Sequence, residues 1–183
     1  MTDEELIEAS RAGNNDAFKE LIRRYESRVA ATVIGMLGQC PEAEDVGQET
    51  FIRFYQSLNK FRGDSSVGTY LTRIAINLSL NELKKRKRKH MLFLDKSSDE
   101  TFDIPEPNSP DPYDGDKEII QSAIQELEPK FRSVIVLRLI DGYSTKETAE
   151  ILKLPTGTVL SRLARAQNKL KHILSPYFGE GNG

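Results

Sequence analysis

The stretch Gly142-Tyr143-Ser144-Thr145-Lys146-Glu147-Thr148-Ala149-Glu150-Ile151-Leu152-Lys153-Leu154-Pro155-Thr156-Gly157-Thr158-Val159 decides how this chain is read. Ser144 stands at a helix N-cap position with Glu147 three residues on, the spacing at which the two side chains satisfy each other's backbone N–H groups. Ala149 is small enough for a second helix to cross closely, and Lys153-Leu154-Pro155 turns the chain into that helix, a helix-turn-helix pattern. At about 100° per residue, Val159, Leu163, Ala166, Leu170 and Leu174 share one narrow arc that must face a core. Thr158, Ser161, Arg162, Arg165 and Lys169 gather on a separate flank. A recognition helix needs that partition, because its inward stripe fixes the angle of entry while short polar and long basic side chains reach into a major groove. Thr158 and Arg162 are the base-edge candidates; Arg165 and Lys169 suit phosphates, whose contribution falls as salt rises.

Working outward, the 3.6-residue periodicity places helices at about 114–127, 130–140, 145–152 and 157–174, punctuated by Pro129, Gly142 and Pro155. Residues 95–118 break the pattern. They hold Pro105, Pro107, Pro110 and Pro112, half of the chain's 8 prolines, among many like charges, and so read as an extended, self-repelling linker. Before it, Thr2 and Glu5 open a first helix that ends near Gly13. A second spans about residues 16–37, with Phe18, Leu21, Ile22, Tyr25, Val29, Val33 and Leu37 on one face. A third follows Pro41, with Ala43, Val46, Thr50, Phe51, Phe54 and Leu58 inward and Glu44, Asp45, Gln48, Glu49 and Arg53 outward. A fourth carries Val67, Tyr70, Leu71, Ile74, Ala75 and Leu78 inward and ends at the basic run Lys84–Lys89. No alternating strand pattern appears, so the expected fold class is all-α, with two small helical domains (1–92 and 117–178) around a flexible acidic linker (93–116).

Composition narrows the function. With 183 residues and 38% hydrophobic content, the chain can build one ordinary domain or two small ones, and no run approaches the roughly 18 apolar residues of a membrane span. The acidic start Met1-Thr2-Asp3-Glu4-Glu5 is unlike a secretory signal, so a cytoplasmic protein without membrane insertion is expected. One cysteine, Cys40, and two histidines give neither an internal disulfide nor a zinc cluster, and no metal or other cofactor is expected. The net charge of −2 conceals alternating blocks: residues 61–90 hold eight Lys/Arg against two Asp/Glu, and residues 91–118 two against nine. Such asymmetry points to a nucleic-acid partner.

The basic run 84–89 is compatible with a solvated helix end as much as with phosphate contact. Asn77 and Asn81 lie just before it on one face, with Phe61 and Tyr70 upstream. Amides can bond exposed base edges and aromatics can stack on unpaired bases, although Tyr70 at helical spacing also suits a core. Catalysis finds no foothold: there is no Gly-rich phosphate loop, nucleophile elbow or HExxH, and no small-molecule substrate or enzymatic activity is expected.

Taken in order, these pieces resemble the bacterial extracytoplasmic-function (ECF) sigma factors over nearly the whole chain. The resemblance rests on Asp16-Ala17-Phe18, on Ala43-Glu44-Asp45-Val46-Gly47-Gln48-Glu49-Thr50-Phe51 and on Phe61-Arg62-Gly63-Asp64-Ser65. It continues through Thr69-Tyr70-Leu71-Thr72-Arg73-Ile74-Ala75-Ile76-Asn77, Leu127-Glu128-Pro129-Lys130-Phe131-Arg132 and Gly157-Thr158-Val159-Leu160-Ser161-Arg162-Leu163-Ala164-Arg165-Ala166. It implies region 2 and region 4 domains, promoter-directed transcription initiation and an anti-sigma factor as regulator. It further implies docking on core RNA polymerase, with Asp45, Gln48, Glu49 and Arg53 on the clamp helices of the largest subunit and region 4 near the flap. Phe61, Arg62, Asp64, Ser65, Tyr70, Arg73, Asn77, Asn81, Lys84 and Lys85 would read and open the minus-10 element. Thr156, Thr158, Ser161, Arg162, Arg165 and Lys169 would meet the minus-35 element. The family commonly carries tryptophan at Tyr70, a basic residue at Leu160 and aspartate at Asn81. The competing reading is a free-standing helix-turn-helix regulator, which would leave the first four helices without a task; a helical nucleic-acid-modifying enzyme is more remote.

Overall fold

Residues 1–96 and 115–179 are described by a computed structural model; among them the regular elements are all helical. The first half holds α1 (Asp3–Arg11), α2 (Asn15–Leu37), α3 (Pro41–Ser57) and α4 (Val67–Lys96). Their starts follow from local chemistry. Thr2 and Glu5 form the expected reciprocal cap on α1, and the Asn14 side chain accepts from the N–H groups of Asp16 and Ala17 at the head of α2. Pro41 opens α3, where its missing N–H would have had no helical partner. Gly38 ends α2 at φ +78°, a conformation that favours glycine. Leu21, Val33, Met36, Phe54, Leu71 and Ile76 fill the centre of this four-helix bundle, each at most 1% exposed and each stabilising it by about 1.5–3 kcal/mol.

The second half holds α5 (Asp116–Glu126), α6 (Pro129–Ile135), α7 (Thr145–Leu152) and α8 (Thr156–Phe178). Three helix ends differ from the sequence reading. α4 continues through the basic run to Lys96, because Met91, Leu92 and Leu94 are good helix formers and no glycine or proline intervenes. The helix expected over about 130–140 widens after Ile135 into a π-helical turn, Val136–Ile140, in which the Asp141 N–H reaches back five residues to the Val136 carbonyl at 2.8 Å. α8 runs on to Phe178 with Pro176 inside its last turn, and Gly179 ends it. Most of the acidic linker expected at 93–116 lies outside the described residues; 93–96 are helical within α4 and Asp116 starts α5.

The two halves pack together, an arrangement the sequence left open. The last carbonyls of a helix have no partner within it. At the end of α2 side chains meet them: Gln125 Nε2 donates to the Gly35 carbonyl (2.9 Å) and Arg132 Nη1 to that of Met36 (2.7 Å), while Gln121 Nε2 (2.8 Å) adds a second donor to the Ile34 carbonyl, which also accepts from the Gly38 N–H. Arg86 of α4 completes the row by donating to the Leu37 carbonyl at 3.3 Å. Gly35 permits this approach, since a Cβ there would stand 2.9 Å from Val136 Cγ2. Beside it, the Thr32 hydroxyl donates to Asp141 (2.9 Å), the Tyr143 hydroxyl donates to Thr72 Oγ1 (2.9 Å), and Arg28 covers the Tyr143 ring. Val136, Leu137, Tyr143 and Ile151 thereby join the apolar core of the first half.

Candidate functional site

The helix-turn-helix is built as its sequence requires. Ser144 Oγ accepts from the Glu147 N–H at 3.1 Å and the Glu147 carboxylate accepts from the Ser144 N–H at 2.8 Å, which holds the Glu147 carboxyl below its ordinary range. α7 ends at Lys153, which takes the left-handed conformation (φ +53°), while the Leu154 N–H donates to the Ala149 carbonyl. Ala149 packs with Val134 and Val159, so the closeness inferred from its size is realised. Along α8, Val159 and Ala166 are fully buried and Leu163 and Leu170 line the same core, whereas Leu174 at the far end is half-buried.

Of the six minus-35 candidates, Thr156, Ser161, Arg165 and Lys169 are exposed, and Thr158 and Arg162 are half-buried on the flank. The Ser161 hydroxyl donates to the Thr158 carbonyl at 3.0 Å. Lys169 lies 3.7 Å from Glu128 and over the Phe131 ring, so a phosphate contact by it would have to displace that pairing. Arg162 and Arg165 are the flank's remaining cations.

A second surface is the outer face of α3. Glu44, Asp45, Gln48 and Arg53 are exposed and Glu49 half-buried, with Glu49 Oε1 2.8 Å from Arg53 Nε. The acidic run is therefore neutralised at its Arg53 end and open at Glu44 and Asp45. Sequence reasoning missed what lies beside it. An apolar groove between α2 and α3, lined by Ile22, Val29, Ile34 and Phe51, passes Gln48 and reaches the exposed Ile52 and Tyr55. Ile52 and Tyr55 occupy outward positions of a helix whose inward stripe was already accounted for, and that was the signal available.

The third surface starts at the 61–66 loop. Arg11 of α1 holds the entry to it, donating to the carbonyls of Leu58 and Phe61, while Ser66 Oγ accepts from the Thr69 N–H and starts α4. Arg62 and Asp64 are exposed and Ser65 half-buried. The Phe61 and Tyr70 rings meet edge to face, 5.1 Å apart, and both lean on buried Phe54. Tyr70 thus packs against the core while remaining partly exposed. Asn77 and Asn81 are exposed one turn apart on α4, followed by exposed Lys84 and Lys85; Arg73 is half-buried, with its Nε buried and unpaired. Along α4, Tyr70, Arg73, Asn77, Asn81 and Lys84 share one arc at about 100° per residue, and the 61–66 loop leads into its first turn.

Among the described residues there is no group of His, Cys, Asp or Glu suited to hold a metal, and no helix long and apolar enough to cross a membrane. Comparison with known proteins matches two family descriptions, Sigma-70 region 2 over residues 21–89 and Sigma-70 region 4 over residues 117–170. The chain is 32% identical to the RNA polymerase sigma-H factor of Pseudomonas aeruginosa, over 97% of this chain and 96% of that one. It is 34% identical to the ECF RNA polymerase sigma factor SigW of Bacillus subtilis, over 92% and 94%. A solved structure of the Bartonella quintana sigma factor RpoE in complex with the anti-sigma factor NepR superposes with a TM-score of 0.69 at 25% identity, covering 86% of this chain and 96% of that one.

Proposed function

The chain belongs to the ECF family of RNA polymerase sigma factors, and on that premise we propose how its three surfaces divide the work of initiating transcription at chosen promoters. As a sigma factor it binds core RNA polymerase and promoter DNA. Asp45, Gln48, Glu49 and Arg53, with the apolar groove beside them, dock on the clamp helices of the largest subunit, where an acidic rim attracts basic residues and the groove supplies desolvated contact. The strip from Phe61 through Lys85 takes the minus-10 element. Its exposed asparagines face unpaired base edges, the Phe61–Tyr70 pair offers an aromatic edge to an unstacked base, and the lysines follow the phosphates. α8 takes the minus-35 element through Thr156, Thr158, Ser161, Arg162, Arg165 and Lys169.

The observation that carries this division is the partition of α8: a fully buried stripe of Val159 and Ala166 against an open face on which Arg162, Arg165 and Lys169 share one flank. The protein acts in the cytoplasm as a specificity subunit without catalysis of its own. An anti-sigma factor holds it in check, a reading supported by the superposition on a sigma factor seen bound to one. The test is run-off transcription from promoter-containing genomic fragments with core polymerase alone, this protein alone and both. Discrete transcripts are expected only with both. Asp45→Arg combined with Glu49→Arg should abolish capture of core while the helical circular-dichroism signal persists; unimpaired capture would refute the docking assignment.

A further inference from the structure

The open face of α8 is not uniformly polar. With Val159 set at zero on the core side, Leu160, Ala164, Gly157 and Ser161 fall between about 100° and 200°, and Thr158, Arg162 and Arg165 between about 240° and 300°. The cations therefore hold one flank, and the other side of the open face, from Leu160 round to Ser161, is uncharged over the first three turns. Within it Leu160 is 54% exposed; the other large exposed apolar side chains of α8, Tyr177 and Phe178, stand at its far end. Helical side chains lean over the preceding turn, and for Leu160 that turn holds exposed Gly157, beside which a Cβ would meet nothing within 4 Å. Ser161 is short and its hydroxyl proton is already given to the Thr158 carbonyl. The longest side chain free to reach a base edge from this side is thus a branched alkyl group.

In the major groove only one base feature rewards an alkyl contact, the C5-methyl of thymine; the other edges present donors and acceptors that leucine would leave unpaired. Resting on the assignment of α8 to the minus-35 element, we propose that Leu160 is a specificity-determining residue that selects a thymine in that element by methyl contact, with Ala164 keeping the approach close. From the other flank Arg162 reaches base edges and Arg165 anchors the phosphates. Specificity at that position then comes from apolar burial and is insensitive to salt, unlike the anchoring.

The test uses holoenzyme reconstituted from core polymerase and the full chain. A DNA pool randomised over the minus-35 element is selected for binding, and each thymine of the enriched element is then replaced singly by deoxyuridine, which removes the methyl alone. One position should lose about three- to fourfold in affinity with the native protein, as burial of one methyl predicts. Leu160→Ala, at an exposed site that leaves the thermal melt unchanged, should bind thymine and deoxyuridine there equally. An enriched element without thymine, indifference to every replacement, or the same methyl dependence in Leu160→Ala would overturn the proposal. Failure of the underlying assignment is recognised separately: run-off transcripts would be missing, or no element would be enriched at all, and the proposal would fall with it.

Discussion

Two arginines show how differently this chain spends its charge. Arg132, in the seam between the halves, is 7% exposed; its two Nη atoms bond the carbonyls of Met36, Gln125 and Leu127 and the Gln125 side chain, and burial lowers its pKa to about 10. Arg165, on α8, is exposed. A buried cation is kept only where its surroundings satisfy it, so its geometry is fixed by several elements at once. An exposed cation is constrained by little within its own fold, and its placement records what it meets outside. The seam is where the molecule holds itself together, and the open faces are where the proposed partner contacts lie.

The sharpest way to break that contrast is Arg132→Ala. Removing the guanidinium orphans carbonyls on both sides of the seam, and about 3 kcal/mol of unfolding free energy should be lost, measured by urea denaturation. A loss under about 0.5 kcal/mol, the range of ordinary surface changes, would show that the seam contributes little.

Asp141 gives a smaller and pH-dependent effect. Burial beside Thr32 raises its carboxyl from 3.8 to about 6, against the opposing pull of the Thr32 hydroxyl bond and of Arg28. The folded state therefore holds a proton more tightly than the unfolded chain, so this contribution is fully present below the unfolded value and is lost as pH rises through about 6. Asp141→Asn should match the native protein near pH 4 and exceed it by about 1–2 kcal/mol at pH 7, allowing for partial screening. A constant difference across that window would remove Asp141 as the cause.

The smallest stability effect belongs to the open face. Arg165→Ala should change unfolding free energy by less than about 0.5 kcal/mol. It should weaken promoter binding nearly uniformly across sequences and reduce the slope of log affinity against log salt by about 1. A change confined to one base position would instead make Arg165 a reader of base edges.

The residues of the open faces were legible because short-range rules govern them. The Ser144–Glu147 cap, the α8 stripe and the acidic outer face of α3 each follow from spacing within one helix, and each stands where spacing placed it. Tyr70 was the ambiguous case, since an aromatic at helical spacing suits both a core and a stacking platform; its ring is half-buried and in contact with Phe54.

By itself, then, the sequence determined the all-α class, the order of the helices, the helix-turn-helix and the partition of its second helix, all through periodicity, capping and turn chemistry that act over a few residues. Only the tertiary structure decided that Gln121, Gln125 and Arg132 cap the end of α2 across 87 to 96 residues of chain, that Gly35 admits Val136, and that half-buried Asp141 packs against Thr32. The physical reason is that an unpaired helix carbonyl announces a need for a donor without saying which one. That choice is made when distant surfaces are brought together and leaving a helix end's carbonyls buried without a donor would cost stability.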